Sequence, residues 1–478
     1  MAFETNYRRA VVALIAIVVT AALFWFGKGL SPYWPLTWFA PIPVLLYASC
    51  TAWPSAAVTA FLAWFFGSLS FWRYFRLLGM PPALVAFSFA FEAVVFTLAV
   101  LLFRALLRRG ALWSALFAFP VAWVTYEWVR NFALPHGTAG SLAYTQLNFL
   151  PFLQLASVTG PWGMSFLLLL FPAAVATGLH LRRAAPKQAF RIAGTGFGLV
   201  TIVLIFGVVR LATPVQGSRV TVGLIASDEP GNVDVAEEGG KTGELFRAYA
   251  SRAKELAARG AQVIVIPEKL GVMVNSDTKS VDEIFEKLAA VTGATLVAGM
   301  VDVSPLVKYN EARVYGPEAP VLSYDKHHML PQFESELKPG TTLTLLRKRS
   351  ANWGVEICKD MDFTPLSREY GKKGVGLMLV PGWDFNMDRW WHGHIAVMRG
   401  VEDGFSVVRA AKNGYLTVSD DRGRILAETR SDSASFATLL TDVPAAHDRT
   451  VYLFLGDWVA WVSVALLVFA ISRLLLAK

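Results

Sequence analysis

The sequence predicts a polytopic α-helical membrane bundle of about eight spans carrying a separate α/β domain, and three observations predict it. The chain is 54% hydrophobic with 16 Trp and 33 Phe, and its mean hydropathy is +0.45, all high for a soluble protein. The apolar residues are segregated into blocks before residue 215 and at the C-terminus. Between these blocks the texture changes to strands alternating with charged helices. The expected organisation is therefore a membrane domain over 1–212, an extramembrane α/β domain over 213–450 and a last span within 451–478.

The apolar blocks fall at 10–27, 34–52, 54–72, 82–104, 111–129, 159–181, 191–212 and 452–473, each near the roughly twenty residues needed to cross a bilayer. Basic residues orient them. Arg8 and Arg9 precede the first block, Arg104, Arg108 and Arg109 follow the fourth, and Arg182, Arg183, Lys187 and Arg191 lie between the sixth and seventh. Eight spans place all of these, with Arg473 and Lys478, on one side, which the positive-inside rule makes cytoplasmic. The domain between spans then faces the opposite compartment, the periplasm of a bacterium. The net charge of +8 is explained by this topology and calls for no nucleic acid. The first block is read as a retained anchor, because its apolar run is long and no clear small-residue cleavage site follows. Cys50 ends the second span, so a bridge to Cys358 is not expected. The sparse charges Glu92, Glu127 and Arg130 are expected to settle at interfaces or pair between helices.

From Arg219 onward the pattern is α/β. Val220–Ile225 reads as a strand and 238–258 has helical spacing, with further strands at 262–267, 295–301, 353–358, 376–381, 405–410 and 415–419. About 235 residues of this texture make one domain with an ample core. Linkers are short, which keeps the domain near the membrane surface.

Three residues stand at segment edges. The run Val263-Ile264-Val265-Ile266-Pro267 ends in Glu268, Lys326 sits in Tyr324-Asp325-Lys326-His327-His328, and Val355-Glu356-Ile357 ends in Cys358. A thiol is nucleophilic only when deprotonated, and a neighbouring carboxylate can take its proton. A lysine ammonium can then stabilise the oxyanion formed when the thiolate attacks a carbonyl. His327-His328 and His392-Gly393-His394 are the only histidine clusters, and neither has matching Cys or carboxylate spacing for a metal. No motif implies a cofactor.

These residues resemble the Glu-Lys-Cys triad of the nitrilase (carbon–nitrogen hydrolase) superfamily, and the membrane half narrows the resemblance to the apolipoprotein N-acyltransferase family. Trp123 through Arg130 is similar to that family's Trp/Glu/Arg signature, as is Gln154-Leu155-Ala156 leading into Gly160 through Phe166. Tyr324 through Glu334 resembles its Lys-His-Leu-Val-Pro-Phe-Gly-Glu loop, and Met398 through Gly414 its Ala-Arg…Glu…Arg…Asn-Gly segment. The resemblance implies an α-β-β-α sandwich inserted before the last of eight spans. It makes Glu268 the general base, Lys326 the oxyanion stabiliser and Cys358 the acyl-accepting nucleophile, with Glu334 supporting them.

The chain departs from the family where Lys359 and Asp360 follow the cysteine in place of an aromatic residue and a glutamate. Asp360 keeps a supporting carboxylate, shortened by one methylene. The loop at 331–334 and the segment Pro381 through Asp388 are also altered, and the stretch Asn131 to Tyr144 lacks the family's Gly-Phe-Pro-Trp. Trp383, Trp390 and Trp391 are candidates to line a substrate entrance. The implied activity is a ping-pong transfer of an acyl chain from a phospholipid, through a Cys358 thioester, to the α-amine of a diacylglyceryl-cysteine lipoprotein. Its partners would be these two substrates and the membrane lipid itself, with no nucleic acid and a monomer sufficient. The implied location is the inner membrane, with the catalytic domain in the periplasm. The alternatives are a membrane-tethered amidase or a transferase for a different amine, and a non-catalytic scaffold.

Overall fold

The computed structural model describes residues 2–215, 217–228, 242–274, 278–304, 307–348 and 351–476. Lys478 and residues 238–241 of the expected helix 238–258 lie outside the described residues; that helix is seen as Thr242–Ala258. The chain separates into two compact units. One comprises Met1–Leu134, Thr138–Ala212 and Leu455–Lys478, the other Pro135–Gly137 and Thr213–Phe454.

The first unit is helical. Among the described residues, six helices are long and apolar enough to cross a membrane: Tyr7–Lys28, Trp53–Leu77, Pro82–Arg108, Ala156–Leu181, Pro186–Ala212 and Trp458–Leu476. Leu112–Ala133 is a further helix of 22 residues whose last turns carry Glu127 and Arg130. The block expected as a single span over 34–52 is instead broken into Trp34–Phe39 and Ile42–Cys50. Pro41 and Pro43 at the junction cannot donate the amide hydrogen bonds that would join the two pieces. The last span begins at Trp458, later than the expected 452, because the chain turns at Gly456 with φ 56 after the short helix Val451–Leu455.

The second unit is built on two sheets. Its strands are β1 (Arg219–Ala226), β2 (Val263–Val265), β3 (Val272–Val274), β4 (Thr295–Ser304), β5 (Val307–Tyr315), β6 (Leu322–Asp325), β7 (Leu345–Leu346), β8 (Asn352–Val355), β9 (Val375–Trp383), β10 (Ser406–Lys412), β11 (Tyr415–Ser419), β12 (Ile425–Arg430) and β13 (Ala437–Pro444). One sheet runs β13-β1-β2-β4-β5-β6 with β3 also paired to β4, and the other runs β12-β11-β10-β9-β8-β7. Alternation along each strand divides its side chains between two layers. Val222, Leu224, Val265 and Val297 face Val355, Leu379, Val407 and Leu416 in the layer between the sheets. Ile225, Ile264 and Leu296 instead pack under Phe246, Tyr249, Leu256 and Phe285 of the helices Thr242–Ala258 and Thr278–Thr292. Helices Thr364–Lys372 and Arg389–Asp403 accompany the second sheet. The result is the α-β-β-α sandwich that the family resemblance implied.

The run expected as a strand to Cys358 stops at Val355, and Cys358 opens a short 3₁₀ turn, Cys358–Asp362. Strands β3, β5, β6, β7, β12 and β13 had no counterpart in the sequence reading. In β5, Val-Lys-Tyr-Asn-Glu-Ala-Arg-Val-Tyr, charges interrupt the apolar signal even though Asn310, Ala312 and Val314 follow one another at period two and are buried.

Candidate active site

Glu268, Lys326, Cys358 and Glu334 converge at one end of the sandwich from four different segments. Glu268 stands just past β2, where the ladder continues through Ile266 N–H to the Val297 carbonyl at 2.8 Å and Gly299 N–H to the Pro267 carbonyl at 3.1 Å. A Cβ on Gly299 would lie 2.5 Å from the Glu268 Cα, so only glycine lets β4 pass so close beneath it. The Glu268 N–H donates to the Gly382 carbonyl of the opposite sheet at 3.3 Å, tying the carboxylate's backbone to β9. Lys326 follows β6 directly, its N–H bonded to the Asn310 carbonyl at 2.8 Å.

The Lys326 ammonium donates to Glu268 Oε1 at 2.8 Å and to both Glu334 oxygens at 2.9 and 3.1 Å. Burial works against this charge, but the Glu268 and Glu334 carboxylates and the neighbouring Cys358 outweigh it and hold the lysine well above its ordinary pKa. Glu334 also accepts from Lys269 at 2.8 Å and from the Leu330 N–H at 2.8 Å. Burial would raise its pKa; Lys326 and Lys269 instead pull it well below the carboxylate range. Asn310 bridges the two carboxylates, donating to Glu268 Oε1 at 2.6 Å and Glu334 Oε1 at 2.8 Å. All of these side chains are buried, and their formal charges cancel two for two.

Cys358 has φ 46, in the left-handed region. A non-glycine residue there costs on the order of 1 kcal/mol. Its Sγ is 3.5 Å from the Trp383 carbonyl and placed to donate to it. Burial, and then the negative Glu268, push this thiol far up, while Lys326 and Arg409 oppose the shift. The resting site therefore holds a protonated thiol beside a carboxylate. Both hydrogen bonds to Glu268 fall on Oε1, so among the described residues Oε2 has no partner and can receive a proton. A thiol, a proton acceptor and a fixed ammonium beside the thiol suit attack on a carbonyl carbon.

The remaining candidates are placed differently. Asp360 does not join the glutamates. It accepts from the Tyr324 hydroxyl at 2.8 Å, the His328 N–H at 2.8 Å and the His327 N–H at 3.2 Å, clamping the lysine segment to the cysteine turn. Trp383 lies at the site, its ring flanked by Lys412 at 4.4 Å and Lys269 at 5.2 Å. Trp390 stacks on His394 at 4.4 Å and Trp391 is 7% exposed, so both belong to the packing of the helix Arg389–Asp403. Lys359 donates to the carbonyls of Pro135 at 2.6 Å and Met329 at 3.0 Å.

Sequence reasoning missed Lys269, Asn310, Lys412 and the buried Asp384–Arg409 pair, which closes at 2.5 and 2.9 Å behind Trp383. A signal existed for Asn310, a polar residue at an inward position of an alternating strand. Lys269, adjacent to a candidate base, looked like an ordinary surface lysine. Among the described residues, no three His, Cys, Asp or Glu side chains converge as a metal site.

Comparison with known proteins adds independent findings. Residues 16–174 match the family described as the apolipoprotein N-acyltransferase N-terminal domain, and residues 226–446 match the carbon-nitrogen hydrolase family. An apolipoprotein N-acyltransferase of Geobacter metallireducens is 26% identical, with 97% of this chain and 95% of that one covered. Apolipoprotein N-acyltransferase 2 of Treponema denticola is 24% identical over 97% of this chain and 98% of its own. Among solved structures, an amidase from Nesterenkonia sp. is 19% identical, covers 50% of this chain and 93% of its own, and superposes with a TM-score of 0.40.

Proposed function

This chain, a bacterial membrane protein, belongs to the apolipoprotein N-acyltransferase family, and from that premise we propose that it moves an acyl chain from a phospholipid to the N-terminal amine of a diacylglyceryl-cysteine lipoprotein through a thioester on Cys358. The observation that carries this reading is the Glu268–Lys326–Glu334 group at the thiol of Cys358. In the first half-reaction Cys358 Sγ attacks the donor ester carbonyl carbon as its proton passes to Glu268 Oε2. Lys326 stands against the oxyanion. When the tetrahedral adduct collapses, the C–O bond breaks, Glu268 returns the proton to the leaving lysophospholipid oxygen, and the thioester remains. In the second half-reaction the lipoprotein amine attacks the thioester carbonyl and gives a proton to Glu268, and the C–S bond breaks to release the amide and restore the thiol.

Lys326 is suited to its part because Glu334 keeps it charged even while Glu268 holds a proton. Glu334 and Asn310 keep it in place, since neither needs to move when Glu268 gains a proton. The basic clusters at the span ends support an inner-membrane location with the α/β unit on the periplasmic side. Anchoring suits the substrates, both of which are lipids confined to a bilayer.

Purified protein in detergent–phospholipid micelles, supplied with a diacylglyceryl-cysteine peptide and read by mass spectrometry, tests the proposal. The expected result is one acyl mass gained on the peptide amine, with an acylated Cys358 intermediate and no transfer by Cys358→Ala. Transfer by Cys358→Ala at an appreciable rate would overturn the thioester route. An acylated Cys358 with an untouched peptide would assign a different acceptor.

A further inference from the structure

We propose that Lys412, which shares the Trp383 ring with Lys269, forms a subsite for the phosphodiester group of the acyl donor. The inference rests on the thioester reading above and specifies how that site selects its first substrate. Lys412 is the last residue of β10 and lies in register with Trp383, the last residue of β9. Its Nζ stands 4.4 Å from the centroid of the Trp383 ring, and the Lys269 Nζ stands 5.2 Å from the same ring. The carbonyl of Trp383 is the group that the Cys358 thiol faces at 3.5 Å. Lys412 is thus one residue removed from the reacting sulfur.

This lysine is 5% exposed, yet among the described residues its ammonium has no hydrogen-bond acceptor and no ion-pair partner; its one contact is the indole face. The carboxylate that acts on it most, Asp228, spends its oxygens on the Asn413 N–H at 2.7 Å and the Ser431 hydroxyl at 2.8 Å. Burial accordingly lowers the lysine to about 8, Asp228 opposes this and Lys269 reinforces it. A buried ammonium is normally paired, because the loss of its hydration is otherwise uncompensated. The other charges of the site cancel: Lys326 and Lys269 balance Glu268 and Glu334, and Arg409 balances Asp384. Asp228 balances Lys412 in formal charge but does not bond it. Among the described residues Lys412 is therefore the cation of this group left without an acceptor, a position that an anionic ligand oxygen fits.

The two substrates differ in charge near their reacting atoms. A phospholipid carries its phosphodiester on the same glycerol as the ester that the thiol attacks. The acceptor brings an amine, which in its ammonium form would be repelled by Lys412 and Lys269. The unbonded ammonium therefore fits the donor half-reaction. Cation and anion would meet beside an indole face, in a place where little water screens them.

The test compares Cys358 acylation from a phospholipid with that from a diacylglycerol bearing the same chains but no phosphate, at limiting donor, by intact-mass spectrometry. Wild type, Lys412→Met and Lys412→Arg are each assayed with both donors. The ratio of the two rates does not depend on the folded fraction of a sample. Wild type is expected to prefer the phospholipid, Lys412→Met to lose roughly tenfold or more of that preference, and Lys412→Arg to retain most of it. A preference unchanged in Lys412→Met, or absent from wild type, would overturn the subsite. So would a Lys412→Met variant whose only change is in the KM for the peptide acceptor, which would turn Lys412 towards the other substrate. If wild type is acylated by neither donor, the thioester reading itself fails and takes this subsite with it.

Discussion

The two units each bury a network of four opposed charges, and the networks differ in what they leave unpaired. In the helical unit Arg130 donates to Glu92 at 2.9 Å, and Lys28 approaches Glu92 at 3.6 Å while donating to Ser68 at 3.1 Å and lying over the Trp64 ring. Glu127 accepts from Trp123 at 2.9 Å, the Leu142 N–H at 2.7 Å and Ser141 at 3.0 Å. Every one of these ions has a partner, as charges among membrane helices require. In the α/β unit Lys326, Glu334 and Lys269 are equally well bonded, but among the described residues Glu268 Oε2 has no partner, and burial and Glu268 hold the thiol beside it in its protonated form. The helical network resembles the one around Cys358 in composition and lacks the open position. On the proposed mechanism, reactivity comes from the acceptor withheld from partners and not from the burial of charge.

The comparison predicts its largest effect at Glu268. Glu268→Gln keeps an oxygen for Asn310 and Lys326 but removes the proton acceptor. Single-turnover acylation of Cys358 should fall by about 10²–10⁴-fold. The thermal midpoint in detergent should also drop, because Glu334 still bonds Lys326 and Lys269 but one of the two carboxylate charges facing them is gone. A variant that acylates within tenfold of wild type would mean that the open oxygen of Glu268 is not the base, and the contrast between the networks would lose its basis.

In the closed network the balance of effects should reverse. Arg130→Met leaves Glu92 with the 3.6 Å approach of Lys28 and a long hydrogen bond from the Tyr126 hydroxyl at 3.5 Å, and frees the Ala139 carbonyl that Arg130 holds at 2.6 Å. Removing one partner of a buried pair costs about 3 kcal/mol or more, so the variant should unfold at markedly lower temperature or denaturant. Acylation per folded molecule should be retained. Equal losses in both quantities would place this network in the chemistry and erase the distinction.

The same contrast explains what was legible in the sequence. An α/β domain could be read because β1, β9 and β10 are runs of apolar residues bounded by turns, whereas the sandwich followed from the family resemblance. Glu268, Lys326 and Cys358 stood out because each lies at a segment edge. The spans were legible as apolar blocks, but the break at Pro41 was hidden because the block's composition does not change there. Both networks were only half visible. Lys28 sits at the end of an apolar helix like any boundary lysine, and Lys412 sits at the end of a strand like any edge lysine. Pairing is a property of the folded chain: Arg130 meets Glu92 across 38 residues and Lys269 meets Glu334 across 65. Asp360, two residues after Cys358, was read as a supporting carboxylate, but its partners could not be read from the sequence: its oxygens are taken up by Tyr324, His327 and His328.

Lys359 lies between the two kinds of network and gives the smallest predicted effect. Its ammonium is bonded only to carbonyls, those of Pro135 and Met329, so it is satisfied in hydrogen bonds though not paired at contact distance with a carboxylate. The segment it holds packs tightly, since a Cβ on Gly137 would meet the Asp362 carbonyl oxygen at 2.5 Å. Burial lowers Lys359 to about 8, with Asp362 opposing and Lys326 adding to the shift. The unfolded chain holds this proton up to about 10.4, so between these values the unfolded state binds more protons and stability rises with pH. Below about pH 8 the full cost of burying the charge is present; above about 10.4 it is gone. Lys359→Met lacks the titrating group, so the thermal midpoint of wild type minus that of the variant should increase across pH 8 to 10.4, by an amount corresponding to about 3 kcal/mol at most. A difference that stays flat would mean that the carbonyls and Asp362 hold this ammonium as firmly as water does. Lys359 would then belong with the closed network, and the tether to Pro135 would be as permanent as the Arg130–Glu92 pair.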